Sequence, residues 1–262
     1  MTPNATINVS VSSHYRNGSY DSETVTQGIL GERVEILEHA PLFSKIRQHD
    51  GYVSWIGTDQ LATGDSPDGP TVLVRSHFIC IRAEPSPRSE VIRDAVIGSR
   101  LCADDQRHGW TRILLPDGQP GWVETDRFGS FDAATPERII GLAAEFLGYQ
   151  YLWGGRTPKG FDCSGLVQTV FALHGIPLPR DSWQQQKQHQ LSRNFSDARR
   201  GDLLFFGKTP GTVTHVAISL GSGRFIHASG WVRYNSFNIS DPDFSGNLAA
   251  TFISVNRYPS GT

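Results

Sequence analysis

Along the first 130 residues, apolar and polar positions alternate in short runs such as Arg33-Val34-Glu35-Ile36-Leu37 and Phe43-Ser44-Lys45-Ile46-Arg47, broken by Gly and Asp-Gly turns. A period of two bounded by turn residues predicts short antiparallel strands. The pattern then recurs at a fixed offset of 67 residues: Gly31-Glu32-Arg33-Val34 on Gly98-Ser99-Arg100-Leu101, Lys45-Ile46 on Arg112-Ile113, Asp50-Gly51 on Asp117-Gly118, and Trp55-Ile56 on Trp122-Val123. An internal repeat of this kind predicts two copies of one small all-β unit. The expectation is two barrels, residues 1–66 and 67–132, with Trp55 and Trp122 in their cores.

The period changes after Gly129-Ser130-Phe131-Asp132-Ala133-Ala134. Thr135 can cap a helix and Pro136 suits its first position. Ile139, Leu142, Ala143, Phe146 and Leu147 recur at three and four, and Gly148 is placed to stop the helix. A second helix is expected from Cys163, with Leu166, Val167, Val170 and Phe171 as its apolar stripe and Gly175 and Pro177 at its end. Beyond residue 200 the period returns to two, in Leu203–Phe206, Thr214–Leu220, Arg224–Ala228 and Phe252–Val255. Helices followed by an antiparallel sheet make residues 133–262 an α+β domain.

Composition narrows the function classes. The 262 residues are 38% hydrophobic and 19% charged, which sets aside a disordered chain, a fibre and a disulfide-dense miniprotein. The net charge of −2 is too balanced to draw the chain to nucleic acid or an anionic bilayer, so a small, specific partner is expected. No run approaches the roughly 20 apolar residues of a membrane span, and the first thirty residues hold no apolar signal core. Cys80, Cys102 and Cys163 are odd in number and widely spaced, which points to a reducing cytoplasm. A leader removed ahead of Met1 is the alternative.

Cys163 carries the chemistry. At a helix start, the macrodipole and unpaired N–H groups are expected to lower a thiol pKa and favour the thiolate. Two histidines can join it. If Leu220 pairs with Arg224 across a Gly221-Ser222-Gly223 loop, paired positions sum to 444 and His215, Ala217, His227 and Ser229 share one face. His215 and His227 are then diagonal neighbours, roughly 7 to 8 Å apart at the backbone. Cys163 as nucleophile, His215 as base and His227 as its orienter supply the roles of covalent acyl transfer. One Cys and two His could instead hold zinc, but no Cys-x-x-Cys or His-x-x-x-His pair and no nearby acid completes a ligand set, so neither a metal nor another cofactor is expected. The glycine-rich stretches lack a Gly-Lys-Ser/Thr ending and do not read as phosphate cradles. The other histidines, including His14, His39, His108 and His189, are expected on surfaces or loops.

The Gly-x-x-Val, Lys-Ile and Gly-x-x-x-Trp-Ile order of the repeats resembles the bacterial Src-homology-3-like domain. Tyr151-Leu152-Trp153-Gly154-Gly155, Phe161-Asp162-Cys163-Ser164-Gly165, Leu178-Pro179-Arg180-Asp181-Ser182, Gly201-Asp202-Leu203-Leu204-Phe205-Phe206, His215-Val216-Ala217-Ile218 and Phe225-Ile226-His227-Ala228 together resemble the NlpC-type bacterial cell-wall cysteine peptidases. The resemblance implies a papain-like α+β catalytic domain behind two small all-β Src-homology-3-like barrels. It also implies hydrolysis of the amide between γ-D-glutamyl and a diamino acid in murein stem peptides. Cys163 matches the nucleophile, His215 the base, His227 the third member, and Tyr151 a tyrosine that assists the oxyanion. Asp181 and Ser182 look like the element that binds a free N-terminal L-Ala amine, although Asp181 could equally cap the helix that follows. Ser164 and Trp153, within the same motifs, and Tyr52, which matches a cleft-closing tyrosine, complete the expected substrate contacts. Alternatives are an exported lysin acting on intact peptidoglycan and a wall-binding scaffold without activity; oligomeric state is left open.

Overall fold

The structure, a computed structural model, describes residues 4–258 other than 65, 66, 68, 189–191 and 210, and divides into two compact units, Met1–Phe131 and Asp132–Thr262. His189 and the expected boundary at Ser66 lie outside the described residues.

In the first unit, β1 (Asn4–Ile7), β2 (Val11–Tyr15), β3 (Thr24–Ile29), β4 (Arg33–His39), β5 (Phe43–Arg47), β6 (Val53–Gly57) and β7 (Leu61–Thr63) form one antiparallel sheet, ordered β3-β2-β6-β5-β4-β1-β7. A second sheet holds β8 (Thr71–Leu73), β9 (Phe78–Arg82), β10 (Val91–Val96), β11 (Arg100–Arg107), β12 (Trp110–Leu114) and β13 (Pro120–Glu124), ordered β10-β9-β13-β12-β11-β8. The repeat is therefore structural. Strands β2 to β6 begin at 11, 24, 33, 43 and 53, and β9 to β13 at 78, 91, 100, 110 and 120, each 67 residues later and at the same place in its sheet.

The expected closed barrels are not what the pairing shows. Among the described residues no ladder joins β3 to β7 or β10 to β8, and the β2–β6 and β9–β13 links are reduced to single rungs, Tyr15↔Trp55 and Arg82↔Trp122. Each sheet is open at its edges among the described residues. One apolar cluster gathers Ala5, Ile7, Val34, Ile36, Ile46, Ile56 and Leu61; the other gathers Val74, Ile79, Ile81, Leu101, Ile113 and Val123 and also takes Leu30 from the first repeat. Hydrogen bonds from Ser10 to Asp94 and from Arg93 to Asn8 tie the copies further, so they form one unit.

Two side chains of this unit depart from expectation. Trp122 is buried, with the Arg107 guanidinium 4.5 Å from its ring centroid, but Trp55 is only half-buried because Ser54 and Ile56 take the inward phase of β6. Trp55 instead lines a surface recess with Tyr20, Leu42 and Phe43. His14 is fully buried rather than on the surface, its ring nitrogens hydrogen-bonded to the hydroxyls of Ser12 (2.9 Å) and Ser54 (3.2 Å).

In the second unit, α1 (Pro136–Glu145) starts as expected: the Thr135 hydroxyl accepts from the Arg138 N–H, and Pro136 occupies the first turn. Ile139, Leu142 and Ala143 are its buried face. Gly148 reverses the chain at φ +84°. A small hairpin, β14 (Arg156–Thr157) and β15 (Gly160–Phe161), leads into α2 (Cys163–Leu173) and then α3 (Ser182–Gln188). Strands β16 (Leu203–Phe206), β17 (His215–Gly221), β18 (Arg224–Ser229), β19 (Trp231–Ser236) and, after α4 (Gly246–Ala250), β20 (Phe252–Asn256) build an antiparallel sheet ordered β19-β18-β17-β16-β20. The stripe Leu166, Val167, Val170 and Phe171 is buried, and α2 packs on β17 and β18. Each such side chain contributes about 1.5–3 kcal/mol by leaving water. The unit is α+β.

The β17–β18 turn has two residues, not three. Gly221 pairs with Arg224, and Ser222 (φ +51°) and Gly223 (φ +78°) adopt the left-handed pair that suits a two-residue hairpin loop. A bulge at Leu220 restores the missing residue, so Ile218↔Ile226 and Ser219↔Phe225 keep the sum of 444. The phase expected at the histidines survives for that reason.

Backbone contact fixes the start of α2. A Cβ on Gly165 would stand 2.1 Å from the Gly155 carbonyl oxygen, so helix and preceding loop meet only through a glycine. Gly165→Ala is expected to lower unfolding free energy by about 1–3 kcal/mol, read as a shifted urea midpoint at unchanged slope.

Candidate active site

The site begins at Asp162, the N-cap of α2. Its carboxylate accepts from Gly165 N–H (2.7 Å), Gly154 N–H (3.0 Å) and the Ser164 hydroxyl (3.2 Å), and forms a two-pronged ion pair with Arg180. Arg180 is only 2% exposed, the largest fully buried side chain of the described residues, and its guanidinium also donates to Ser164 Oγ at 2.9 Å. One buried carboxylate thus holds the Tyr151–Gly155 loop, the first turn of α2 and the segment before α3 together. Removing either partner of a buried pair typically costs about 3–5 kcal/mol.

Cys163 follows as the first helical residue, almost wholly buried. Its sulfur receives backbone N–H groups from Ser164 and from Val216, the neighbour of His215 on β17, which brings thiol and imidazole into one site. Tyr151 lies within the electrostatic reach of the same sulfur. Leu152 N–H donates to Phe161 O and Phe161 N–H to Gln150 O, aligning the tyrosine with the residues just before Cys163. Burial, followed by the fields of Cys163 and Asp162, raises the Tyr151 phenol and keeps it a protonated donor.

The histidines meet as the hairpin phase requires. His215 Nε2 and His227 Nδ1 are 2.7 Å apart, His227 Nε2 lies 2.8 Å from Asn235 Oδ1, and Asn235 Nδ2 donates to the Asp243 carbonyl at 2.7 Å. This chain assigns the protons. The Asp243 carbonyl can only accept, so the Asn235 amide is oriented with its oxygen toward His227, whose Nε2 carries the proton and whose Nδ1 accepts from His215 Nε2–H. His215 Nδ1 is left with its lone pair free, the nitrogen a base needs.

One electrostatic expectation is overturned. The Cys163 thiol is pushed up to about 12, first by burial and then by Asp162, and the N–H groups of Val216 and Ser164 with Arg180 recover only part of the shift. Helix-start stabilisation is real but loses to desolvation. Burial also drives His215 down to about 3, helped by His227 and Arg233, and His227 to about 4, against the Asn235 hydrogen bond. The resting pair is a neutral thiol beside a neutral imidazole. Such a pair can perform acyl transfer when attack on a carbonyl and proton transfer to His215 occur together.

The remaining expected residues distribute unevenly. Asp181 sits at the N-cap position of α3, its N–H accepted by Gln184 Oε1 at 3.2 Å in capping-box style, with Ser182 buried at the first helical position. The Ser164 hydroxyl is engaged by Asp162 and Arg180. Trp153, on the loop after Tyr151, is 60% exposed. Tyr52 belongs to the first unit, half-buried ahead of β6, where its N–H is held by the Asp50 carboxylate. Asp162 and Arg180 lie within the motifs quoted above, but the residue pattern assigns no role to them or to Asn235. An Asp directly before a helix is a capping signal that could have marked the first; a fully buried arginine and an amide one strand away leave no comparable trace.

Fold and site together define a thiol-dependent hydrolase of the acyl-transfer kind. The model of the NlpC/P60 family matches residues 148–247, and that of the bacterial dipeptidyl-peptidase Sh3 domain matches residues 14–61. The chain is 31% identical over 224 residues to a gamma-D-glutamyl-L-lysine dipeptidyl-peptidase of Bacillus cereus, covering 78% of this chain and 66% of that protein. It is 26% identical to dipeptidyl-peptidase 6 of Lysinibacillus sphaericus over 96% of this chain and 98% of the relative. A crystal structure of an NlpC/P60 family protein from Bacillus cereus superposes with a TM-score of 0.84 over 97% of this chain and 99% of the other, at 24% identity, and speaks for the fold. The chain belongs to the NlpC/P60 family of cysteine peptidases and carries a bacterial dipeptidyl-peptidase SH3 domain ahead of the catalytic one.

Two outcomes check the site. Unfolded histidines titrate near 6.5, while His215 and His227 resist protonation to about 3 and about 4, so the stability they lend is complete above pH 6.5 and lost as pH falls toward 4. His215→Gln should flatten that acid limb in thermal melts, leaving a smaller Tm loss between pH 6.5 and 4 than the wild type. Asn235→Ala should free the His227 tautomer and lower kcat by roughly 10- to 100-fold with little change in KM, measured on any peptide the enzyme cleaves.

Proposed function

We propose that the chain is a cysteine endopeptidase that hydrolyses the amide between γ-D-glutamyl and a diamino acid in murein stem peptides bearing a free N-terminal L-Ala, and that it serves peptide recycling in the cytoplasm. The observation that carries the reading is the hydrogen-bonded array of His215, His227 and Asn235, with the Cys163 sulfur held by the N–H of Val216 next to His215 and with Tyr151 in the field of that sulfur. Support for the substrate comes from relatives named for dipeptidyl-peptidase activity that match well beyond the catalytic domain.

In this mechanism Cys163 Sγ attacks the γ-carbonyl of D-Glu while its proton passes to His215 Nδ1. The tetrahedral oxyanion is held by the Cys163 N–H and Tyr151. His215 returns the proton to the leaving amine as the C–N bond breaks, leaving a thioester. A water activated by His215 then adds to the thioester, and L-Ala-D-Glu departs as the thiol is restored. Asp181 and Ser182 would meet the substrate ammonium, with Ser164 and Trp153 alongside. The sheet of residues 71–124 would be a second copy of the SH3 domain, since it repeats the strand order of the first.

The test is mass spectrometry of products from L-Ala-γ-D-Glu-L-Lys, its diaminopimelate analogue, their N-acetylated forms and purified sacculi. Dipeptide release from the free-amine peptides, abolished by Cys163→Ala with the melt unchanged, is expected. Release from sacculi alone would favour the exported lysin, and no release from any substrate would leave a scaffold.

A further inference from the structure

Beside the histidine pair stands a cation that the acyl-transfer chemistry does not use. Arg233 lies directly opposite His227 in the β18–β19 ladder, so the two side chains share a face with Cβ atoms roughly 4.5–5.5 Å apart. Its guanidinium sits 4.8 Å from the ring centroid of Trp231, two residues back on the same face, and that ring is 50% exposed. Arg233 Nε is buried with no hydrogen-bond acceptor, and among the described residues no carboxylate pairs with this guanidinium. Three other arginines of the same unit each pair with a carboxylate: Arg180 with Asp162, Arg224 with Asp243, and Arg257 with Asp202.

The position is bounded on both sides by the reaction site. Tyr151 N–H donates to Gly230 O and Val232 N–H to Tyr149 O, so the loop that carries Tyr151 runs along the strand that carries Arg233. On the other side, both histidine rings feel the Arg233 charge. His215 must deliver its proton to the leaving nitrogen, so that nitrogen lies against the histidine pair. The carboxyl carbon of the departing diamino acid is two bonds from that nitrogen.

We propose that Arg233, held over Trp231, binds the α-carboxylate of the diamino acid on the leaving side of the scissile amide. A planar guanidinium with open donors suits a carboxylate bidentately. The consequence is a preference for peptides that end at the diamino acid, because a further residue would convert the carboxylate into a neutral amide. This inference rests on the γ-D-glutamyl reading above.

The experiment compares kcat/KM for L-Ala-γ-D-Glu-L-Lys and its C-terminal carboxamide, using wild type, Arg233→Gln and Arg233→Lys. The wild type should favour the acid by about 10- to 100-fold, the range expected for a charge-assisted contact. Arg233→Gln should bring the acid-to-amide ratio close to one, and Arg233→Lys should keep an intermediate ratio. Because any effect of Arg233 on histidine titration or on folding acts on both peptides alike, the ratio isolates the carboxylate contact. A wild type that cleaves both peptides equally, or a ratio unmoved by Arg233→Gln, overturns the inference and spares the γ-D-glutamyl reading. A wild type that cleaves neither overturns both.

Discussion

A carboxylate taken out of water needs every lone pair occupied, and Asp162 meets that demand by drawing three chain segments onto itself. Its acceptors are filled by the first turn of α2, the Gly154 amide and a guanidinium almost without solvent contact. The next residue is the cysteine, so the network that satisfies the charge also aims the sulfur. The same charge opposes ionisation of the thiol. The site accepts a less acidic nucleophile as the electrostatic consequence of a rigid one, and leaves proton removal to a partner.

That partner is organised by hydrogen bonds between neutral groups. From the Asp243 carbonyl through Asn235 and His227 to His215, each link has one allowed direction, and the direction ends at a bare nitrogen on the last ring. Sheet geometry makes this possible: β17, β18 and β19 are consecutive in sequence and adjacent in space, so short turns bring three polar side chains into register.

Much of this was legible in the sequence because it depends on local periodicity. The 67-residue repeat, the Thr135-Pro136 helix start, the helix beginning at Cys163 and the common face of His215 and His227 all follow from spacing alone. What failed depends on environment. Trp55 was expected inside because tryptophan is large and apolar, but the pleat put its neighbours there. His14 was expected outside because histidine is polar, yet two serine hydroxyls one strand apart satisfy it. The direction of the thiol shift required the depth of burial, a three-dimensional quantity. The hairpin phase was right although the loop length was wrong, since a bulge compensated for one residue.

The uncharged resting state of Cys163 bears on its survival in an oxidising episode. Peroxide reacts with sulfur anions far faster than with S–H groups, and a buried, protonated sulfur offers it little. Cys80, exposed on β9, is the more open target of the described cysteines. The burial that raises the Cys163 thiol therefore also separates it from Cys80 in its exposure to oxidants.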